Sequence, residues 1–324
     1  MKRTTIIFLQ FLIIFSGRAF SQGQQLSKIH TTDITNFWAA YDRVIELKDT
    51  TAQKQVLQTF FIDKASSGMR DFIKLRPKLN ASKYVESINK YPKFWQSIRA
   101  KTLKIDLYKQ AIQDNMNSYK LLYPNFKQPE IFFSIAHLNT GGTTSTGRIL
   151  IGTEMAAADS SVDASELSPF LQNVFKNNLN VVYIVTHEAT HTQQIGLEAE
   201  DKGTMNLMAY CIEEGACEFI AELIVKKQLM FPYMTYGRLH ERELWEKFKG
   251  EMYDKEIKGW LYNGGTAPGG IQDLGYFMGY EICKSYYNNE KDKQLAIRKI
   301  IELNYSDNNQ VHEFFQKSGY ANKW

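Results

Sequence analysis

The run VTHEATHTQQ at residues 185–194 constrains this chain most, because it sets His187 and His191 four positions apart with Glu188 beside the first. The surrounding segment LNVVYIVTHEATHTQQ contains neither Pro nor Gly, and apolar residues precede the histidines, so it predicts a partly buried helix. Residues four apart lie on one face of a helix, which brings two imidazoles within reach of one zinc ion. Glu188 would then act as the general base on a zinc-activated water.

A second helix, predicted over residues 204–227, offers carboxylates that would complete such a site. Glu214, Glu218 and Glu222 recur at four-residue steps and share a face, whereas Glu213 is turned about a third of a revolution away. The rest of this helix is rich in Ile, Ala, Leu and Phe, and burying unpaired carboxylates there would be costly. A zinc ion with its histidine ligands would supply the missing partner.

The two segments together resemble a known class of enzymes. HEATH followed by EEGACE is similar to the motifs of the gluzincins, metallopeptidases in which a glutamate on a second helix completes the zinc site. The closest local form is the Asn-Glu-Gly-Phe-Ala type motif of aminopeptidase N relatives, with Glu213 here in the place of Asn. The resemblance implies that His187, His191 and Glu214 bind Zn²⁺. It also implies that Glu218 orients a zinc-binding histidine, as an acidic residue does in thermolysin-like members.

A wider resemblance covers roughly residues 128–303. The segment NTGGTTSTGRILIGTEM, the two motif helices and the later GYFMGYEICKSYY resemble a bacterial group of predicted, poorly characterised zinc-dependent proteases. This resemblance implies an enzyme that hydrolyses bonds in a peptide or protein substrate.

Two apolar segments before the motif helix predict a small sheet. EIFFSIAHL at 130–138 and RILIGTEM at 148–155 favour strands joined by a Gly/Thr-rich loop. In gluzincins the strand before the metal helix is a sheet edge that binds an extended peptide, and the resemblance assigns that role to RILIGTEM. Gly152 and Glu154 are therefore candidate substrate-binding residues. Likeness to the Gly-Ala-Met-Glu-Asn motif of aminopeptidases would have Glu154 bind a substrate amine; the alternative is a solvated carboxylate at the strand end.

Tyr276 and Tyr280 lie one turn apart on a helix predicted over residues 274–287. In aminopeptidase-like enzymes a tyrosine far downstream of the zinc motif donates a hydrogen bond to the oxyanion of the tetrahedral intermediate, and both tyrosines lie at a comparable distance. The resemblance therefore implies one of them, with Tyr280 preferred, as a catalytic donor. The alternative is that both belong to a packed aromatic core.

The pattern as a whole predicts an α+β fold that is mostly α-helical. We expect a signal peptide at 1–21, an N-terminal helical region at 22–127, and a zincin-like metallopeptidase domain at 128–324 whose sheet, with an edge strand, precedes the HEATH helix. The leader has a basic start, an apolar run too short to span a bilayer, and small residues near its end. The mature chain is therefore expected to be exported, to a periplasm or the medium, without an integral membrane span.

Charge and cysteine content add little to this prediction. The formal net charge of +4 falls by three, to +1, when the basic residues of the leader are removed, which gives no reason to expect a nucleic-acid partner. The three cysteines, Cys211, Cys217 and Cys283, are not an even set. Buried free thiols are the favoured interpretation, and a disulfide from Cys283 to one of the others is the alternative.

The resulting prediction is an exported zinc metallopeptidase with Glu188 as the general base. One alternative is a catalytically inactive metalloprotease-like protein that binds a peptide or a cell-envelope partner. A second is a helical scaffold without metal. Glu188 favours the enzyme, because a binding module has no chemical need for it, and the aligned Glu214 and Glu218 disfavour the scaffold.

Overall fold

The structure is a computed structural model that describes residues 28–176, 180–195, 203–264, 267 and 270–324. These residues form a mostly helical chain with a four-stranded mixed sheet, which confirms the α+β prediction. The predicted signal peptide at 1–21 lies outside the described residues. Within the described part, no helix is both long and apolar enough to cross a membrane.

Three of the four strands of the sheet lie between the N-terminal and the C-terminal helices in the chain, and the first strand precedes both groups. Its strands are β1 (Ile29–His30), β2 (Glu130–Ser134), β3 (Gly142–Ser145) and β4 (Arg148–Gly152), and their spatial order is β1-β2-β4-β3. β1, β2 and β4 run parallel, whereas β3 pairs antiparallel with β4. Most side chains of β2 and β4 are buried, as expected for strands covered on both faces.

The Gly/Thr-rich segment between the two predicted strands is itself a strand, so the prediction about the sheet edge was wrong. β4, which contains RILIG, lies between β2 and β3, and β3 forms one edge of the sheet while β1 forms the other. The two threonines of β3 have a high strand propensity. Gly147 allows the turn into β4 because its φ of 68° falls in the left-handed region that favours glycine.

The N-terminal helices pack onto this sheet. They are α1 (Thr32–Val44), α2 (Thr50–Leu57), α3 (Ser67–Leu75), α4 (Ala81–Lys90), α5 (Pro92–Leu103) and α6 (Lys109–Leu122). A π-helical turn, Gln58–Ile62, follows α2, and a 3-10 turn, Ile105–Tyr108, separates α5 from α6. The region predicted at 22–127 as helical also contains β1, a strand of two residues that is too short to show an alternating pattern.

The C-terminal helices carry the motifs. They are α7 (Thr153–Ala156), α8 (Pro169–Lys176), α9 (Val181–His191), α10 (Leu207–Val225), α11 (Pro232–Leu239), α12 (Glu241–Glu251), α13 (Leu274–Asn289), α14 (Lys293–Ile301) and α15 (Asn308–Ser318), followed by a 3-10 turn at Tyr320–Lys323. HEATH occupies the end of α9, and EEGACE lies in the middle of α10.

Two glycines let α10 and α13 approach each other closely. A Cβ at Gly215 of α10 would overlap the backbone of Gly279 and Tyr280, and a Cβ at Gly279 would overlap the carbonyl of Cys211. A residue without a Cβ is therefore required on both sides of this crossing. The contact fixes α13 beside the EEGACE segment and brings Tyr276 toward the histidines of α9.

Candidate metal centre

Asparagine caps hold the two helices that carry the site. The Asn180 side chain accepts from backbone N–H groups in the first turn of α9 at 2.9 and 3.3 Å. The Asn206 side chain does the same for α10 at 2.9 Å. Such caps satisfy N–H groups that a helix cannot pair by itself. The caps fix the N-termini of α9 and α10. The end of α9 packs against the middle of α10, so that His191 faces Glu214.

Three side-chain atoms from these helices converge on one point. His191 Nε2 lies 3.2 Å from Glu214 Oε2, and His187 Nε2 lies 3.3 Å from the same oxygen. All three side chains are largely buried, at 12% exposure for each histidine and 7% for Glu214. Glu213 is directed elsewhere, because its Oε1 lies 3.8 Å from the other ring nitrogen of His191, Nδ1.

A side-chain oxygen lies close to the second nitrogen of each imidazole. Gln194 Nε2 donates to the carbonyl of Glu213 at 2.9 Å, so Gln194 Oε1 is left to accept from His191 Nδ1 at 2.8 Å. His187 Nδ1 lies 3.2 Å from Glu218 Oε1, which is an ion-pair distance, although the angle does not meet that of a hydrogen bond. If a metal ion is bound, a proton on each Nδ1 would leave both Nε2 lone pairs directed to the point of convergence. Metal-binding histidines in proteins are oriented in this way.

The carboxylate of Glu218 is itself held in place. Its side chain is 2% exposed, and it accepts from the hydroxyl of Tyr183 at Oε2 and from that of Tyr233 at Oε1, the latter at 3.0 Å. Two phenolic donors from separate helices prevent it from turning away from His187. This arrangement fits the orienting role predicted for Glu218.

The three converging atoms fit a zinc ion. Zinc bonds to nitrogen and oxygen are about 2.0–2.1 Å long, and a tetrahedral arrangement sets ligand atoms about 3.3 Å apart. The separations of 3.2 and 3.3 Å around Glu214 Oε2 agree with that spacing. Two imidazole lone pairs would repel a carboxylate oxygen, so positive charge is needed among the three atoms, and either protons on the imidazoles or a metal cation would supply it.

The electrostatics of the cluster point the same way. Burial alone would lower the pKa of His187, but the carboxylates of Glu214 and Glu218 raise it well above its ordinary value. Burial alone would raise the pKa of Glu214, but His191 and His187 hold it well below its usual range. The cluster therefore favours positive charge at the point where these side chains meet.

Cys217 lies close enough to be considered as a ligand. One atom each from Cys217, His187 and His191 lies within 4.8 Å of the others. The thiol instead donates to the carbonyl of Glu213 at 3.5 Å, and burial raises its pKa well above the ordinary value. Zinc binds the thiolate, so Glu214 is the better third ligand. All three cysteines are buried and free, which agrees with the favoured interpretation of the sequence.

The site opens into a cleft of about 480 Å³. Besides the histidines and Glu214, the cleft is lined by Arg76, Thr140, Gly142, Thr143, Thr144, Glu188, Glu213, Tyr262 and Tyr276. Glu188 projects into it beside β3, since a Cβ at Gly142 would lie 2.7 Å from Glu188 Oε1. Burial raises the pKa of Glu188, against the opposite effect of His191 and His187. Edge strand, carboxylate and histidines thus share one open space.

Tyr262 contacts the site although the sequence did not predict it. Its hydroxyl donates to Glu214 Oε1 at 2.5 Å, the oxygen that does not face the histidines. Tyr262 has a φ of 54° and precedes the Gly-rich segment, where no periodic pattern assigns a direction to its side chain. The neighbouring Asn-Gly pair marks a loop in the sequence, but it does not indicate what that loop contacts.

The two candidate tyrosines of α13 have different environments. Tyr276 lines the cleft, and its ring lies 6.1 Å from the His187 ring at an interplanar angle of 27°. Tyr280, the residue preferred from the sequence, is fully buried, and its hydroxyl donates to Glu222 Oε1 at 2.6 Å. Glu222 lies two helical turns beyond Glu214, so Tyr280 extends past the site. This position favours Tyr276 over Tyr280.

Gly152 and Glu154 do not have the positions expected of substrate-binding residues. Glu154 is fully buried, and its carboxylate accepts from the backbone N–H of Ala136 at 3.0 Å and of Leu138 at 2.7 Å. It is neither open to a substrate amine nor solvated. A Cβ at Gly152 would overlap the carbonyl of Thr140. Because β4 is an inner strand, its end packs against the loop between β2 and β3, and both residues contact that loop.

Residues 164–307 match the model of a family described as Predicted Zn-dependent protease (DUF2268). The matched segment contains both motif helices, Tyr262 and Tyr276, and it excludes the sheet and the N-terminal helices. The match supports a relationship to a poorly characterised group of zinc-protease-like proteins, as the sequence resemblance implied. No curated protein and no solved structure gives a significant match to the chain.

Proposed function

We propose that this protein is a zinc-dependent peptidase of the gluzincin type, with a zincin-like arrangement of sheet and helices. One observation carries the proposal: His187 Nε2, His191 Nε2 and Glu214 Oε2 converge at zinc spacing beside the carboxylate of Glu188. The match to a family of predicted zinc-dependent proteases supports the same function. The predicted leader at 1–21 adds export to the proposal.

The residues of the cleft divide the chemistry among them. A zinc ion at the centre would supply a Lewis acid for the scissile carbonyl and lower the pKa of water toward neutrality. Glu188 would take a proton from the attacking water and deliver it to the nitrogen of the leaving amine, which completes hydrolysis of the amide bond. Tyr276 would donate a hydrogen bond to the carbonyl oxygen as negative charge develops there.

The edge strand β3 offers a way to hold the substrate. β3 ends the sheet, and Gly142, Thr143 and Thr144 line the cleft next to Glu188. An extended peptide would pair with the free backbone groups of an edge strand, and this pairing requires no particular side chain. We therefore assign to β3 the peptide-binding role that the sequence had given to RILIGTEM.

The first test compares metal content and peptide cleavage in matched variants. About one zinc per wild-type chain is expected by elemental mass spectrometry, with zinc lost in Glu214→Ala and kept in Cys217→Ser. Glu222→Ala is the control, because Glu222 lies on the same helix and pairs with Tyr280 rather than a histidine. Zinc loss in Cys217→Ser but not in Glu214→Ala would overturn the ligand assignment.

Activity separates the enzyme from an inactive binding protein. Glu188→Gln should retain zinc and lose cleavage of a mixed peptide library by about 100-fold or more, because the amide cannot accept the proton. Full zinc binding with no cleavage by the wild type of any peptide or of unfolded casein would favour the binding protein. A wild-type chain that takes up no zinc would overturn both the peptidase and the inactive zinc-binding protein.

A further inference from the structure

Arg76 brings the N-terminal helices into the cleft. It follows α3 directly and lies far upstream of the segment that matches the protease family. Nevertheless its side chain lines the same cleft as Glu188, Glu214 and Tyr276. It is also the only arginine or lysine among the described residues that line this cleft.

The charge of Arg76 is not neutralised by a neighbour. Arg99 is paired with Asp42, and Arg148 with Asp71. Within the described ranges, by contrast, the guanidinium of Arg76 makes no ion pair and no side-chain hydrogen bond. Arg76 lowers the pKa of Glu188 through its charge, but no ion pair joins the two groups. Arg76 therefore has its donors available to a molecule in the cleft.

The surroundings of Arg76 suit an extended ligand. Thr140, Thr143 and Thr144 line the cleft together with it, and the last two lie on the edge strand β3. A peptide paired with β3 would run past both Glu188 and Arg76. A guanidinium binds a carboxylate through two parallel N–H bonds, and it is the side chain best suited to that planar group.

We propose that Arg76 binds a carboxylate of the substrate and thereby makes this cleft selective for peptides that carry one near the scissile bond. This inference rests on the proposed peptidase function and deepens it. The carboxylate would come either from the free carboxyl terminus of the peptide or from an acidic side chain. In either case Arg76 is a specificity residue, because it contacts substrate away from the reacting atoms.

Binding of thiol probes to the zinc-loaded mature chain tests this inference without relying on turnover. The first pair is mercaptoacetyl-Leu-Phe with a free carboxyl terminus and the same compound as its terminal amide. The second pair is mercaptoacetyl-Leu-Glu amide and mercaptoacetyl-Leu-Gln amide. Each Kd is measured by titration calorimetry for wild type, Arg76→Ala and Lys78→Ala. Lys78 is the matched control, since it is exposed, two residues away and does not line the cleft.

In at least one pair, the acidic compound should bind wild type about tenfold or more tightly than its neutral partner, as expected for a charge-assisted bond. The pair that shows the preference identifies the source of the carboxylate. Arg76→Ala should reduce the preference to about twofold or less, and Lys78→Ala should keep it. Equal binding within both pairs, or a preference that survives Arg76→Ala, would overturn the inference while leaving the peptidase intact. Failure of all four thiols to bind would overturn both.

Discussion

Tyr262 and Glu214 form the hydrogen bond that fixes the orientation of the proposed third ligand. The Tyr262 hydroxyl donates to Glu214 Oε1 at 2.5 Å, while Oε2 of the same carboxylate lies 3.2 and 3.3 Å from the histidine nitrogens. A carboxylate held at one oxygen presents only the other to a metal. Tyr262 would therefore leave Oε2 as the oxygen of Glu214 that could hold zinc, and it limits the freedom of that side chain.

Removal of this hydroxyl should weaken zinc binding. We expect Tyr262→Phe to raise the Kd for zinc about tenfold or more, as is usual when a group that orients a ligand is lost. Competition with a chelator of known affinity measures the change. Tyr253→Phe provides the control, because its hydroxyl is exposed and hydrogen-bonds to His312, away from the cleft. Unchanged zinc affinity in Tyr262→Phe would show that Glu214 needs no such support.

A methyl group on the edge strand should disturb the general base. In Gly142→Ala the new Cβ would lie 2.7 Å from Glu188 Oε1, so the carboxylate has to move. We expect the rate of peptide cleavage to fall about tenfold or more, since a misplacement of about 1 Å can slow catalysis about 100-fold, while zinc content stays unchanged.

Gly141→Ala is the matched control for that experiment. The nearest atom to a Cβ at Gly141 is Met155 Cβ at 4.0 Å, an ordinary contact. Its cleavage rate should remain near that of the wild type. If both variants lose activity equally, the loss comes from the strand backbone and not from Glu188.

The parts of the site that the sequence predicted are those set by helical periodicity. His187 and His191 share a face because they are four residues apart, and Glu214 and Glu218 share a face for the same reason. The structure brings His187 next to both glutamates. Helical periodicity predicts which side chains of one helix share a face. The EEGACE motif indicated which second helix faces the HEATH helix.

The residues that the sequence did not reveal reach the site through tertiary contacts. Tyr262 is 48 residues from Glu214 and lies where the backbone has a positive φ. Arg76 precedes three of the four strands and both motif helices in the sequence. The sequence also could not show how α13 is set along α10, which depends on the glycine contact at Gly279 and places Tyr276, rather than Tyr280, in the cleft. No local pattern records such a crossing.

The buried carboxyl of Glu154 should make stability depend on pH. Burial raises the pKa of Glu154 to about 7, an effect that N–H groups of Leu138 and Ala136 partly offset. Between its ordinary pKa of 4.5 and about 7, the folded chain keeps a proton that the unfolded chain has lost. Glu154 therefore contributes to the free energy of unfolding in full below pH 4.5, and this contribution is lost as the pH rises through 7.

Glu154→Gln should remove this dependence because the amide does not titrate. As the pH rises from 4.5 to 8, the free energy of unfolding of the wild type should fall by about 3 kcal/mol relative to that of the variant. Urea denaturation measures it, with a chelator present so that metal loss at low pH does not contribute. Glu243→Gln, at a side chain that is 76% exposed, should show no comparable trend. A constant difference would mean that Glu154 ionises at its ordinary pKa.

Gly279 should tolerate no side chain, although it lies within a helix. Alanine normally stabilises a helix relative to glycine by about 0.5–1 kcal/mol. Gly250→Ala in α12 should gain that amount, because a Cβ there meets open space. At Gly279 the Cβ would overlap the carbonyl of Cys211, which belongs to the backbone and cannot turn aside. We expect Gly279→Ala to lower the free energy of unfolding by about 2–4 kcal/mol in urea denaturation. If Gly279→Ala is instead stabilised as much as Gly250→Ala, then α10 and α13 do not cross at this contact, and the position of Tyr276 in the cleft loses its structural basis.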